Sequence, residues 1–115
     1  MENTKILSHI LPREFVEHFD LKDIESKEGS LCFYLDEKYV LPPDHQDKEI
    51  ESYGFTSAIK LYDFPIRENK VTLYVRRRRW RDKSSGKIYT RQWDLKAYGT
   101  SYTKEFAAFL KEMLG

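Results

Sequence analysis

VTLYVRRRRWR, residues 71–81, changes character halfway along its length. Val71, Leu73 and Val75 alternate with polar side chains, as in a strand that buries one face. The same face then carries Arg77 and Arg79, whose charges cannot be buried without partners. We therefore expect a strand that leaves the core and projects into solvent.

The residues after this strand predict its return. DKSSG, residues 82–86, has the Gly and Ser of a hairpin connection, and Ile88 to Trp93 has the composition of a strand. The chain from Val71 to Trp93 is thus expected to form a projecting two-stranded ribbon.

The N-terminal half predicts a helix followed by strands. Thr4 to Phe19 has apolar residues at helical spacing, and Pro12 implies either a turn followed by a helix from Pro12 or a kink. Leu21 to Ser26 and Leu31 to Glu37 predict a hairpin. Residues 38–52 lack a sustained period and predict a loop.

The remaining segments complete an α+β fold. Alternation from Phe55 to Leu61 predicts a strand, and Tyr102 to Met113 predicts a helix capped by Ser101 or Thr103. We expect a single domain over residues 1–115, with an antiparallel sheet of about five strands and a helix at each end.

Charge is distributed unevenly along the chain. Residues 1–50 hold 6 Lys/Arg and 12 Asp/Glu, a balance of −6, whereas residues 51–115 hold 14 and 7, a balance of +7. This asymmetry indicates a polyanionic partner for one surface.

Several classes of protein are disfavoured. The single cysteine, Cys32, permits no internal disulfide and no Cys-based zinc site, and no stretch has the length of a membrane span. A reducing, cytoplasmic setting is expected. His9, His18 and His45 match no common zinc spacing, and phosphate-loop and hydrolase motifs are absent, so we expect no enzyme and no cofactor.

The arginine run is the candidate site. Guanidinium groups match phosphate oxygens and guanine edges, and a two-stranded ribbon fits a DNA groove. The alternative is a solvated or salt-bridged strand packed against the acidic N-terminal half. The aromatic residues Trp80, Tyr89 and Trp93 either brace the hairpin or stack on bases. The predicted nucleic-acid contacts are Arg76, Arg77, Arg78, Arg79, Arg81, Lys83, Lys87 and Arg91.

The chain also resembles a known family. DFPIRENKVTLYVRRRRWRDKSSGKIYTRQWDLKAYGTSYTKEFAAFLKEM, together with LPREFVEHFDL and VLPPDHQDKEI, resembles the N-terminal region of bacterial insertion-sequence transposases, which precedes a DDE-type catalytic domain. The resemblance covers roughly residues 8–113 and is most specific from Asp63 to Trp93.

The resemblance implies a non-catalytic DNA-binding part of a mobile element's recombination machinery. It implies double-stranded DNA, the element's terminal repeats, as the partner, and catalysis in a separate transposase polypeptide or domain. A related transposase group has a zinc-ribbon-like hairpin here. In this sequence, Trp80 and the loop from Asp82 to Gly86 occupy the places of metal-binding cysteines, so the hairpin is expected to lack metal ligands.

Two other functions compete with DNA binding. The first is a protein-interaction module that docks a transposase partner or forms a homodimer through its acidic and basic faces. The second is a small acid/base or metal enzyme, which needs a pocket that joins His18 or His45 to several carboxylates.

Overall fold

A computed structural model describes residues 2–43 and 49–114, with side chains from residue 5 onward. In chain order the elements are α1 (Glu2–Leu7), α2 (Arg13–His18), β1 (Phe19–Lys27), β2 (Ser30–Glu37), β3 (Ile50–Phe55), β4 (Ile59–Ile66), β5 (Asn69–Arg76), β6 (Arg78–Asp82), β7 (Ile88–Thr90) and α3 (Lys104–Leu114). No helix in these ranges is long and apolar enough to cross a bilayer.

The predicted α+β class is confirmed, but the strands form two sheets instead of one. A four-stranded sheet has the order β1-β2-β5-β4, and a three-stranded sheet has the order β3-β6-β7. β2 and β5 are parallel, while the other pairs are antiparallel. Alternation along a strand predicts which face is buried and does not predict its neighbour, so the parallel pair was not foreseen.

Two segments differ locally from their predictions, and two others agree with them. The predicted strand from Phe55 to Leu61 is divided between β3 and β4, and β3 begins at Ile50, inside the predicted loop. At the N-terminus, α2 begins directly after Pro12 and is separated from α1 by a turn, so the first of the two alternatives holds. The hairpin of β1 and β2 forms as predicted, around Gly29 at φ +76°.

The core lies on one face of the four-stranded sheet. Leu73 is fully buried on β5, opposite Phe33 on β2 and Leu61 on β4. Helix α2 adds Phe15 to the same cluster, and the segment before α3 adds Leu95. Val71, Leu73 and Val75 therefore lie on the buried face of β5, as their alternation predicted.

The opposite face of this sheet is polar and partly exposed. Tyr34 and Tyr74, which face each other across β2 and β5, stack at 5.0 Å between ring centroids. The Tyr34 hydroxyl donates to Glu25, and this hydrogen bond is the main reason why the pKa of Tyr34 rises to about 12. Buried Cys32 lies on the same strand face, opposite Thr72.

The arginine run passes from one sheet into the other at Arg77. β5 ends at Arg76 in the four-stranded sheet, and β6 begins at Arg78 in the three-stranded sheet. The prediction of one ribbon from Val71 to Trp93 is therefore wrong. Within this range, only β6 and β7 form a hairpin. The reason is that β5 finds both of its partners, β2 and β4, within the larger sheet.

Two carboxylates and a threonine hold this crossing. Asp36 accepts from Nε and Nη2 of Arg76, both at 2.7 Å. Glu37 Oε1 accepts the backbone N–H of Arg78 at 3.0 Å, while Thr56 exchanges hydrogen bonds with the backbone of Arg77. Asp36 and Glu37 are buried, so these bonds satisfy polar groups that are shielded from water.

Helix α3 is attached to the edge of β4. The backbone N–H of Thr103 donates to the Tyr62 carbonyl, and the Tyr62 N–H donates to the Ser101 carbonyl. The Thr103 carbonyl accepts the first backbone hydrogen bond of α3, from the N–H of Ala107. The Thr103 hydroxyl donates to Asp63 Oδ1 at 2.8 Å. Thr103 thus stands where the sequence predicted a cap, with its hydroxyl engaged by Asp63.

Replacing Asp36 with Asn tests the crossing. The change removes the charge-assisted pair with Arg76, and we expect the free energy of unfolding to fall by about 1–3 kcal/mol, the range for hydrogen bonds to charged groups. Urea unfolding measures the change. Glu28→Gln, in the exposed turn between β1 and β2, removes the same charge as a control, and equal unfolding midpoints for the two variants would contradict the assignment.

Asp63 makes the stability of the fold depend on pH. Burial raises the pKa of its carboxyl above the ordinary 3.8, and the Thr103 hydrogen bond offsets part of the rise. Because the folded-state pKa is the higher one, the stability that this group contributes is complete below the unfolded-state pKa and is lost as pH rises through the folded-state pKa.

The substitution Asp63→Asn is expected to remove the loss of stability at higher pH. We expect the variant to match the wild-type protein in acid and to gain stability relative to it as pH rises, since Asn keeps an acceptor for Thr103 without a buried charge. Thermal unfolding midpoints at a series of pH values measure the difference. A difference in unfolding midpoint that is constant with pH, or that favours the wild-type protein at neutral pH, would contradict this prediction.

Candidate nucleic-acid interface

The arginine-rich strand β6 is the central strand of its sheet. Trp80 lies opposite Ser52 of β3 and Tyr89 of β7. A projecting two-stranded ribbon is therefore not what forms, because β3 supplies a third strand. Alternation along β6 places Arg78, Trp80 and Asp82 on one face of this sheet and Arg79 and Arg81 on the other.

Trp80 is inside the protein. Its side chain is fully buried, with the Tyr39 ring edge-on at 5.1 Å between centroids. The ring is therefore placed to brace the sheet and is not accessible to a nucleotide base. Tyr89, its neighbour on β7, is half-buried, with the ammonium of Lys87 5.7 Å from its ring centroid.

Trp93 lies outside the hairpin. Its ring packs against His18 and Phe19, at 4.8 and 5.5 Å between centroids, and so belongs to the larger core. The guanidinium of Arg91 covers the Trp93 ring at 4.3 Å. Arg91 is therefore oriented by an aromatic surface at the exit of β7.

Two of the predicted contact residues are neutralised within the chain. Arg76 pairs with Asp36 at 2.7 Å, and Arg81 pairs with Glu51 at 2.5 Å. Each hydrogen bond raises the pKa of its guanidinium. At these two positions the salt-bridged alternative describes the run, with Asp36 of the N-terminal half and Glu51 of β3 as the counter-ions.

Arg78 is held between aromatic rings. Its guanidinium carbon lies 4.6 Å from the centroid of Phe55 and 5.1 Å from that of Tyr39. Its Nη1 donates to Ser52 Oγ at 2.8 Å. These contacts fix Arg78 within the sheet and leave it without a carboxylate partner in the described part of the chain.

The other predicted cations form no ion pair within residues 2–43 and 49–114. Arg79 lies 5.3 Å from the Tyr53 ring centroid, and its Nε is buried without a hydrogen-bond partner. A side chain at Gly54, which has φ +76°, would place its Cβ 3.7 Å from Arg79 Nη2. We use the name cationic surface for the set of these residues, which are spread from the crossing through the turn to the exit of β7: Arg77, Arg79, Lys83, Lys87 and Arg91.

The turn between β6 and β7 presents two of these cations. Asp82 Oδ1 accepts from the hydroxyl and the backbone N–H of Ser84, and these bonds lower the pKa of Asp82. The Gly86 N–H donates to the Asp82 carbonyl at 2.7 Å. Exposed Lys83 and Lys87 therefore stand on an ordered turn.

The described residues contain no group of three or more His, Cys, Asp or Glu side chains placed to hold a metal. His9 is exposed, His18 packs on Trp93, and His45 lies outside the described residues. The likeness of the β6–β7 hairpin to a zinc ribbon stays a prediction.

Sequence reasoning missed the partners of the arginines. Tyr53 and Phe55 cover four guanidinium groups, those of Arg76, Arg78, Arg79 and Arg81. Both rings belong to β3, part of which was predicted to be a loop. The signal that was available is ESYGF, residues 51–55, where a carboxylate and two rings alternate with small residues around a glycine. Such a stretch is typical of a strand with a bulge.

Comparison with known proteins provides no further guide to this surface. We found no family model, no curated protein and no solved structure that matches the chain.

Proposed function

We propose that the chain binds double-stranded DNA through the cationic surface. The observation that carries the proposal is that Arg77, Arg79 and Arg91, with Lys83 and Lys87, have no carboxylate partner in the described part of the chain. Two neighbouring arginines of the same run, Arg76 and Arg81, do have one. Carboxylate partners are therefore present near the arginine run. The residues of the cationic surface are the subset of cations that forms no ion pair in the described part of the chain.

The phosphates of the DNA backbone supply a negative charge for the residues of the cationic surface. A guanidinium forms charge-assisted hydrogen bonds with phosphate oxygens, and each neutralised phosphate releases counter-ions. Arg79 and Arg91 are already oriented against Tyr53 and Trp93, so less side-chain entropy is lost when they bind. The buried, unpartnered Nε of Arg79 restricts its available donors to the terminal nitrogens.

The paired arginines have a different role in this proposal. Arg76 joins β5 to β2 through Asp36, and Arg81 joins β6 to β3 through Glu51. Arg78 fills the space between Tyr39 and Phe55. These three residues fix the backbone from which the unpaired cations extend.

The resemblance to transposase N-terminal regions gives the proposal its setting. In this setting the chain is the non-catalytic, cytoplasmic part of a mobile element's transposition machinery. Its target is the terminal repeat of the element, and a separate catalytic transposase polypeptide cuts and joins the DNA.

A second candidate function is self-association or docking of the transposase partner. It is favoured by α3, which has no buried residue and exposes 45% of Phe109, 68% of Met113 and 85% of Leu114. Sedimentation velocity over a range of protein concentrations, with and without duplex DNA, separates the two functions. Association that depends on concentration and no DNA complex would favour this candidate.

The double substitution Arg77→Gln/Arg79→Gln tests DNA binding. If each arginine neutralises one phosphate, the slope of log affinity against log salt falls by about 0.9 per residue, or about 2 in total. Fluorescence anisotropy with a labelled duplex at several salt concentrations measures this slope. Circular dichroism checks that the variant is folded.

The matched control removes two positive charges elsewhere. Arg13 and Lys27 have side chains that are 86% and 69% exposed and lie on α2 and β1, so Arg13→Gln/Lys27→Gln changes the net charge equally. We expect the control to keep the wild-type slope. An unchanged slope in the Arg77/Arg79 variant, or an equal loss in the control, defeats the proposal.

A further inference from the structure

A row of aromatic rings joins α3 to the edge strand β4. Each ring lies 5.0–6.2 Å from the next between centroids. Met113 stands four residues after the last ring and continues the same face of the helix. We call this set the aromatic row, and its members in spatial order are Tyr62, Tyr102, Phe106, Phe64, Phe109 and Met113. None of them belongs to the cationic surface.

Most of the aromatic row is open to solvent. Tyr62, Phe64 and Tyr102 expose 37–38% of their surface, Phe109 exposes 45%, and Met113 exposes 68%. No residue of α3 is buried. Aromatic residues and methionine without charged neighbours between them are the composition of the core of a protein–protein interface. Contiguous exposed apolar patches of this kind mark interaction surfaces.

The two ends of the aromatic row have complementary shapes. At one end, Tyr62, Tyr102 and Phe106 help to line a cavity of about 370 Å³. At the other end, Phe109 and Met113 are exposed on the surface of α3. A methionine side chain is flexible and packs favourably against aromatic rings. The row therefore contains both an apolar side chain to be received and an aromatic cavity to receive it.

The charges that border the aromatic row have opposite signs at its two ends. Lys70 lines the cavity. Glu105 and Glu112 stand four residues before and three residues after Phe109, on the side of its helix face that points away from Phe106. Within the described residues, none of these three charged side chains forms an ion pair. A surface with one sign of charge at each end is complementary to a reversed copy of itself.

A two-fold axis across the middle of the row makes use of this complementarity. It brings the cavity of each copy against the Met113 end of the other, and every contact then occurs twice, as in an isologous interface. Because an aromatic side chain has roughly 150–250 Å² of surface, the exposed fractions in the row correspond to about 400–500 Å² per copy. With the charged borders, two copies bury about 1,000–1,200 Å², at the lower end for specific interfaces.

We propose that the aromatic row is the interface of a symmetric dimer of this chain. Met113 of each copy enters the cavity of the other copy, and Glu112 of each copy pairs with Lys70 of the other. A foreign partner is the weaker assignment, because the borders carry both signs and match each other. The proposal deepens the second candidate function, self-association, and does not depend on DNA binding.

Substitution of Met113 tests the apolar contact in the full chain. Met113→Asp places a charge against aromatic rings, and we expect it to raise the dissociation constant of the dimer at least tenfold. Met113→Leu keeps apolar bulk and is expected to stay within a few-fold of the wild-type value. Sedimentation equilibrium over a wide range of protein concentrations measures the constants. Circular dichroism checks that both variants are folded.

Charge reversal tests the symmetry. Lys70→Glu and Glu112→Lys are each expected to weaken self-association several-fold, because like charges then meet at both copies of the contact. An equal mixture of the two variants is expected to associate as tightly as the wild-type chain, since opposite charges meet again at both contacts. The matched control is a mixture of Lys22→Glu and Glu28→Lys, whose exposed positions lie outside the row. We expect each control variant to associate like the wild-type chain, alone and in the mixture.

Four results would overturn the proposal. They are a wild-type chain that stays monomeric at every concentration, equal dissociation constants for the two Met113 variants, a Lys70/Glu112 mixture that associates no better than either variant alone, and an equal gain in the control mixture. Duplex binding by Met113→Asp separates this proposal from DNA binding. If the dimer is absent and the duplex still binds, only the dimer interface is wrong; if the dimer forms and no duplex binds, only DNA binding is wrong.

Discussion

The bond between Asp36 and Arg76 stands at the end of β5, where the crossing that sets the direction of the second sheet begins. One continuous run of residues serves two sheets, and it changes sheet at Arg77, directly after this pair. With Glu37 and Thr56 holding the next two residues, the direction of β6 is fixed relative to the core. Arg78, Arg79 and Arg81 of β6 follow this crossing directly in the chain.

The arginines around the crossing differ in their partners. Arg76 and Arg81 have carboxylate partners inside the protein, and Arg78 lies between two rings and donates to Ser52. Arg77 and Arg79 form no ion pair within the described residues, and in the proposed function their charge meets an external anion. A run of like charges is tolerated in part because Asp36 and Glu51 neutralise two of its members.

The sequence could predict the α+β class, the buried face of Val71, Leu73 and Val75, and the helix at the C-terminus, because these follow from local periodicity. It could not predict that β5 pairs in parallel with β2, since pairing joins residues far apart in the chain. The counter-ions of Arg76 and Arg81 were missed for the same reason: they lie 40 and 30 residues away. The internal partners of the candidate site could thus not be predicted from local pattern, and its role as a binding site stays a prediction.

The central claim is that the arginines of one run differ in their availability to phosphate. Nuclear magnetic resonance of the arginine Nε–H groups during a titration with duplex DNA tests it most directly. The account predicts that the signals of Arg77 and Arg79 move with added DNA, while those of Arg76 and Arg81 stay in place because Asp36 and Glu51 retain them. Movement of Arg76 and Arg81 alone, or of none of the four, would contradict it.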